Sequence, residues 1–155
     1  MFNIKNRLLV WRFPYLRPRN YCGNIIPDYD YKFTDLDCYP DGWRKLIISY
    51  CKRLNKILKR YGELHNFYIT DAKEKWGTAR LYYSGISNSQ CRKQVDELLW
   101  QLETESMHVC SQCGKKAEYV SQGYVLPFCY ECTTKNKILR NYEPIEVQNE
   151  TKDDE

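Results

Sequence analysis

A chain of 155 residues with 43% apolar content is long enough for one domain with a real core, burying about 70% of the surface exposed by its unfolded form. Its net charge of +4 is unevenly spread, because residues 141–155 hold six acids against one base and the first 140 carry a net of +9. A basic body with an acidic tail favours an acidic partner, or a merely solubilising surface, and the only early apolar run, Leu8-Leu9-Val10-Trp11, excludes a secretory signal core or a membrane span.

Prolines at 14, 18, 27 and 40 argue against a long helix in the first forty residues. That segment is expected to wrap the domain as extended chain and turns, anchored by Trp11, Phe13, Tyr15 and Leu16. The clearest helix is 42–61, with Asp41 as N-cap and Gly62 as stop. Trp43, Leu46, Ile47, Tyr50, Leu54, Ile57, Leu58 and Tyr61 recur at three- and four-residue spacing and make one apolar face. Opposite Leu54, within about 60° at 100° per residue, lie Lys45, Lys52, Lys56 and Lys59. No acid interrupts the sequence between Arg44 and Tyr61. Solvated helix faces usually interleave acids for i,i+4 pairing, so these lysines are a candidate cationic stripe.

Residues 66–84 read as a hairpin, with Lys75-Trp76-Gly77-Thr78 at the turn and Ser84-Gly85 at the end. Alternation sends Lys73 and Lys75 to one side and gives Arg80 and Tyr82 a shared face on the return. Trp76 and Tyr82 offer stacking planes and Lys73, Lys75 and Arg80 offer charge, which together suit a base and its phosphate. The structural alternative packs Trp76 into the core and pairs Glu74 with a lysine. A second helix follows over 89–106, turning Cys91, Val95, Leu98, Leu99 and Leu102 inward.

Two Cys-x-x-Cys pairs, Cys110/Cys113 and Cys129/Cys132, are separated by 15 residues. Two residues between ligands let a tight turn aim both thiolates at one ion, and the intervening chain can return as a hairpin to complete a tetrahedron. Its expected strands are 119–120 and 124–126, with the turn at 121–123. The pattern predicts a structural Zn²⁺ ribbon over 107–134, closed to water by four protein ligands, with Lys115 and Lys116 offsetting its charge. His108 is not needed as a ligand, and Cys22, Cys38, Cys51 and Cys91 are expected to be buried free thiols. The sequence therefore divides into a basic α+β domain (1–106), the ribbon (107–134) and a charged, disordered tail without a core face (135–155). The fold class is α+β, with two main helices, a small antiparallel hairpin sheet and a C-terminal zinc ribbon.

Catalytic patterns are weak. A zinc deaminase needs His-x-Glu, yet His65 precedes Asn66-Phe67 and His108 precedes Val109-Cys110. No nucleophile elbow supports a serine hydrolase. Pro40-Asp41 followed by Asp71-Ala72-Lys73 is the one arrangement that matches a Mg²⁺-dependent nuclease.

Tyr15-Leu16-Arg17-Pro18-Arg19-Asn20, Tyr29-Asp30-Tyr31, Pro40-Asp41-Gly42-Trp43-Arg44, the run from Lys73-Glu74-Lys75-Trp76-Gly77 to Arg80-Leu81-Tyr82-Tyr83, and the paired cysteines occur in a familiar order. Together they resemble a family of small, uncharacterised proteins encoded by bacteriophages and prophages, over roughly residues 13–133. Ala79 departs from the larger apolar residue of that pattern, and Asp71 lies outside it. The resemblance implies a phage origin and a role in the cytoplasm of an infected bacterium, and it transfers no activity. The expected function is non-catalytic binding of a polyanion, either nucleic acid or a nucleotide signal, in host takeover or counter-defence. The alternative is a protein that inhibits a host bacterial factor.

Overall fold

The computed structural model describes residues 3–135 and 142–145. Its helices are α1 (Asn3–Arg12), α2 (Arg44–Arg60), α3 (Ser89–Ser106) and α4 (Tyr130–Lys135). Strands β1 (Tyr68–Lys75) and β2 (Thr78–Ser84) form an antiparallel hairpin. Strands β3 (Tyr119–Ser121), β4 (Pro127–Phe128) and β5 (Tyr142–Pro144) form a second sheet in the order β4-β3-β5. This is the expected α+β class with a C-terminal four-cysteine module. Among the described residues no helix is long and apolar enough to cross a membrane.

Helix α1 corrects the extended reading of the N-terminus. The first proline stands at 14, so residues 3–12 contain no helix breaker, and the helix ends where Pro14 begins a 3₁₀ turn. Phe13, Tyr15 and Leu16 are the buried anchors, whereas Trp11, one helical step from the buried Val10, is 82% exposed. Tyr15 donates its hydroxyl to the Cys51 carbonyl and to Asn55, fastening the segment to α2.

Trp43, just before α2, and Ile47, Tyr50, Leu54 and Leu58 within it share one core with the inward residues of α3 (Cys91, Val95, Leu98, Leu102) and with Phe67, Ile69 and Ala79 of the hairpin region. Asp41 does not cap α2. Residues 41–43 form a 3₁₀ turn without a side-chain cap, and tertiary contacts set the start instead: the Gly42 N–H donates to the Ser111 carbonyl and the Trp43 indole to the Val109 carbonyl. At the other end the N–H groups of Gly62 and Glu63 return to the Lys59 and Leu58 carbonyls. Glu63 is buried and accepts from Asn66 Nδ2, Ser87 N and Oγ, and Asn88 N. Those bonds, first of all the one from Asn66, hold its carboxyl down to about 2 and join the end of α2 to the cap of α3. Asn88 in turn accepts from the Cys91 N–H as N-cap.

Cys51 and Cys91 are buried as their helical positions require, but Cys22 and Cys38 are exposed. Cys22 lies in a turn and Cys38 ends the short 3₁₀ helix Asp35–Cys38, and neither has a long periodic face to direct its side chain inward. The expected featureless tail is corrected at Tyr142–Pro144, which pairs with β3 and sets the Tyr142 ring edge-on to Phe128. The remainder of that expectation falls outside the described residues.

Candidate metal centre and surface sites

Cys110 opens a tight loop in which its carbonyl accepts from Gly114 N and its N–H donates to the Lys115 carbonyl. Cys129 leads into α4, where the Cys132 N–H returns to its carbonyl. The four Sγ atoms lie within 4.8 Å of one another, and Cys113 and Cys129 Sγ approach to 3.5 Å. Tetrahedral coordination at a Zn–S length of about 2.3 Å gives an S–S edge of about 3.8 Å, so this set fits one four-coordinate ion. Burial alone would raise the Cys110 thiol, but the backbone N–H groups of Cys113, Cys129 and Gln112 aim at its sulfur and hold it near 7. Burial pushes Cys129 and Cys132 upward. Among the described residues this is the only group of three or more His, Cys, Asp or Glu side chains placed to hold a metal, and His108 is not in it. Lys115 does more than offset charge, since its ammonium pairs with Glu131 at 2.7 Å and links the two knuckles.

The first knuckle is seated on the helical core by two glycines meeting face to face. A Cβ on Gly42 would lie 2.2 Å from the Cys110 carbonyl oxygen, and one on Gly114 would lie 2.7 Å from the Gly42 oxygen. The Pro40-Asp41-Gly42-Trp43 stretch therefore serves as the socket for the metal loop, a role that no local pattern announces. The second sheet also touches the β1–β2 hairpin. Gly77 sits against Val125 and Pro127, and the Tyr124 hydroxyl donates to Glu74 Oε2 at 2.6 Å.

A bulge between Ile69 and Asp71 shifts the β1 register and brings Lys73 opposite Arg80 and Asp71 opposite Tyr82. Cross-strand partners share a face, so Lys73, Lys75, Arg80 and Tyr82 stand together. Most of that charge is engaged. Lys73 pairs with Asp71 while lying over the Tyr82 ring, and Arg80 pairs with Glu103 of α3 at 2.7 Å. Lys73 thus has an acid partner in place of a free ammonium to orient a nuclease water. Trp76 is not a core residue, because it is 68% exposed at the turn.

On α2 the position is reversed. Arg44 is paired with Asp37, and Arg53 reaches Gln101 and the Tyr50 ring. Lys45, Lys52, Lys56 and Lys59 are exposed, and none of them joins an ion pair among the described residues. Lys52, Lys56 and Lys59 line an open cleft of about 450 Å³ together with Trp11 and Arg12. Trp11 was invisible to sequence reasoning in this role; its spacing with the exposed Ile4 and Leu8 was the available signal. Arg80 and Tyr82 line a different cleft against α3, and Lys75 and Trp76 a third against the ribbon tip. The nine candidate ligand residues are therefore divided between α2 and the hairpin, and even those on the hairpin border different clefts.

Comparison with family models, curated proteins and solved structures finds no match for this chain.

Proposed function

We propose that this protein is a non-catalytic, zinc-stabilised binder of nucleic acid that acts in the cytoplasm of a phage-infected bacterium, in host takeover or counter-defence. The observation that carries the reading is the unpartnered lysine face of α2. From Lys45 to Lys59 it runs about 21 Å at 1.5 Å per residue, a length that matches roughly six phosphates at 3.4 Å spacing and exceeds any single nucleotide. Arg44 and Arg53 are engaged in internal contacts while Lys45, Lys52, Lys56 and Lys59 join no ion pair among the described residues, which suits a mobile polyanion read by charge and not by fixed geometry. Zinc is the ion of choice for four thiolates in a closed tetrahedral set. The phage setting rests on the sequence resemblance alone.

Fluorescence anisotropy with a labelled 20-mer, measured across a salt series, tests the reading. Four lysine–phosphate contacts give a log–log salt slope of about −2.8 on a single strand. Lys52→Glu with Lys56→Glu is expected to weaken binding by at least tenfold and flatten the slope without altering the fold. Unchanged affinity in the folded double variant refutes it. A second reading, an inhibitor of a host protein, draws on the exposed Ile4-Leu8-Trp11 ridge of α1. It predicts that Leu8→Glu abolishes a stoichiometric complex with one host protein while the salt-dependent binding persists.

A further inference from the structure

We infer that the cleft between the hairpin tip and the ribbon tip is a stacking site for a nucleobase that carries a phosphate, with Trp76 and Tyr124 as its walls. The backbone supplies the first argument. Trp76 and Gly77 have φ of +55° and +76°, the paired positive values of a type I′ turn. Asn, Asp or Gly suits the first of these positions, and a bulky side chain there is a conformational outlier. Trp76 gains little burial in return, since its indole stands in solvent. A strained residue that packs against little is best explained by what it presents.

The second argument is the opposite wall. Tyr124 is also exposed and lines the same cleft of about 420 Å³, with Glu74, Lys75, Gly123 and Val125. Glu74 fixes the spacing between the walls, because one carboxylate oxygen accepts from Gly77 N at 2.8 Å and the other from the Tyr124 hydroxyl. Charge supplies the third. Lys73 and Arg80 have acid partners, whereas Lys75 joins no ion pair among the described residues and stands at the cleft. Two aromatic planes beside one uncommitted ammonium fit a planar ring with an attached anion, the chemistry of a nucleotide, whether free or within an unpaired strand. The inference rests on the reading that the ligand is built from nucleotides, and its site is separate from the α2 lysines.

The test uses the full-length, metal-loaded protein with three probes: AMP, a labelled oligo(dT) 15-mer, and heparin as a polyanion without bases. Trp76→Asn keeps a residue suited to the turn and removes the indole. It is expected to raise Tm, to weaken AMP or the oligonucleotide at least tenfold, and to leave heparin unchanged. Tyr124→Ala should weaken the same probe at least fivefold, and Tyr124→Phe by less than threefold because the ring remains. Trp76 dependence with AMP identifies a free nucleotide, and dependence with the 15-mer alone identifies a residue within a strand; either result supports the cleft. If Trp76→Asn binds both base-containing probes like wild type, or lowers Tm, the inference is overturned. Heparin binding that survives alongside such a failure leaves the polyanion reading standing. Absent heparin binding beside Trp76-dependent AMP binding sinks that reading and keeps the cleft.

Discussion

Gly42→Ala isolates the contact between the metal loop and the helical core. The added methyl would stand 2.2 Å from the Cys110 oxygen, 2.6 Å from the Ser111 carbon and 2.7 Å from the Ser111 oxygen. All three are backbone atoms, so no side chain can swing away. Restoring a separation of 3.0 Å needs a shift of about 0.8 Å between the knuckle and the start of α2. Overpacking of this kind costs about 1–3 kcal/mol. The shift also strains the bonds from Gly42 N to Ser111 O (2.9 Å) and from the Trp43 indole to Val109 O (2.8 Å). Each contributes about 1 kcal/mol, so the total is about 3–5 kcal/mol. Because the metal loop and its socket form together, most of that loss should appear in metal affinity, at about tenfold per 1.4 kcal/mol. Competition with a chromophoric chelator, run beside thermal unfolding, measures both quantities. Asp41→Ala is the matched control: it removes an exposed side chain that makes no cap bond and should change stability by less than about 0.5 kcal/mol. If Gly42→Ala retains metal and melts like wild type, the socket has been misread.

Two further outcomes follow from the geometry. Protein purified without added metal should contain one zinc per chain, and Cys113→Ser should lose it and unfold residues 107–134, since structural zinc contributes on the order of 10–16 kcal/mol; elemental analysis that finds neither zinc nor iron overturns this. Glu63, held down to about 2 in the folded state against about 4.3 unfolded, stabilises fully above pH 4.3 and loses that contribution as pH falls toward 2. Glu63→Gln should therefore lower Tm at pH 7, with the gap to wild type closing below pH 4.5, and a gap independent of pH contradicts the assignment.

Periodic and paired patterns were legible in the sequence because the interactions behind them are local. The apolar positions of 89–106 fix α3 to the residue, and Trp76-Gly77 marks the hairpin turn. Paired cysteines imply one cluster. Harder to read were features decided across the chain. Ser121 bonds the Tyr124 carbonyl and the Leu126 N–H, which holds the ribbon loop open and moves the second strand from 124–126 to Pro127–Phe128. The apolar run Tyr124-Val125-Leu126 imitated a strand that this serine prevents. Helix α1 spreads its apolar residues over both faces, with Ile4, Leu8 and Trp11 outward and Leu9 and Val10 inward, so no single apolar face marked it. Arg80, on β2, looked like a free ligand group because Glu103, its partner, lies a whole element later on α3. Asp41 looked like a cap because Ser111, which supplies the competing contact, comes seventy residues later.

The long reach of those contacts has a consequence on the ribosome. The Trp43 indole bonds residue 109, and the Tyr50 hydroxyl bonds Glu105, so α2 cannot finish burying its apolar face until α3 and the first cysteine loop have been synthesised. At about 5–20 residues per second, the interval between Arg60 and Val109 lasts roughly 2–10 s, during which the amphipathic helix waits with the part of its apolar face that meets α3 uncovered. Neighbouring nascent chains on one message would present the same sticky face to each other. The uninterrupted lysines along the back of α2 give every copy a concentrated positive charge, so chains on adjacent ribosomes repel. The same lysine stripe thus guards the protein against its own kind while it is being made.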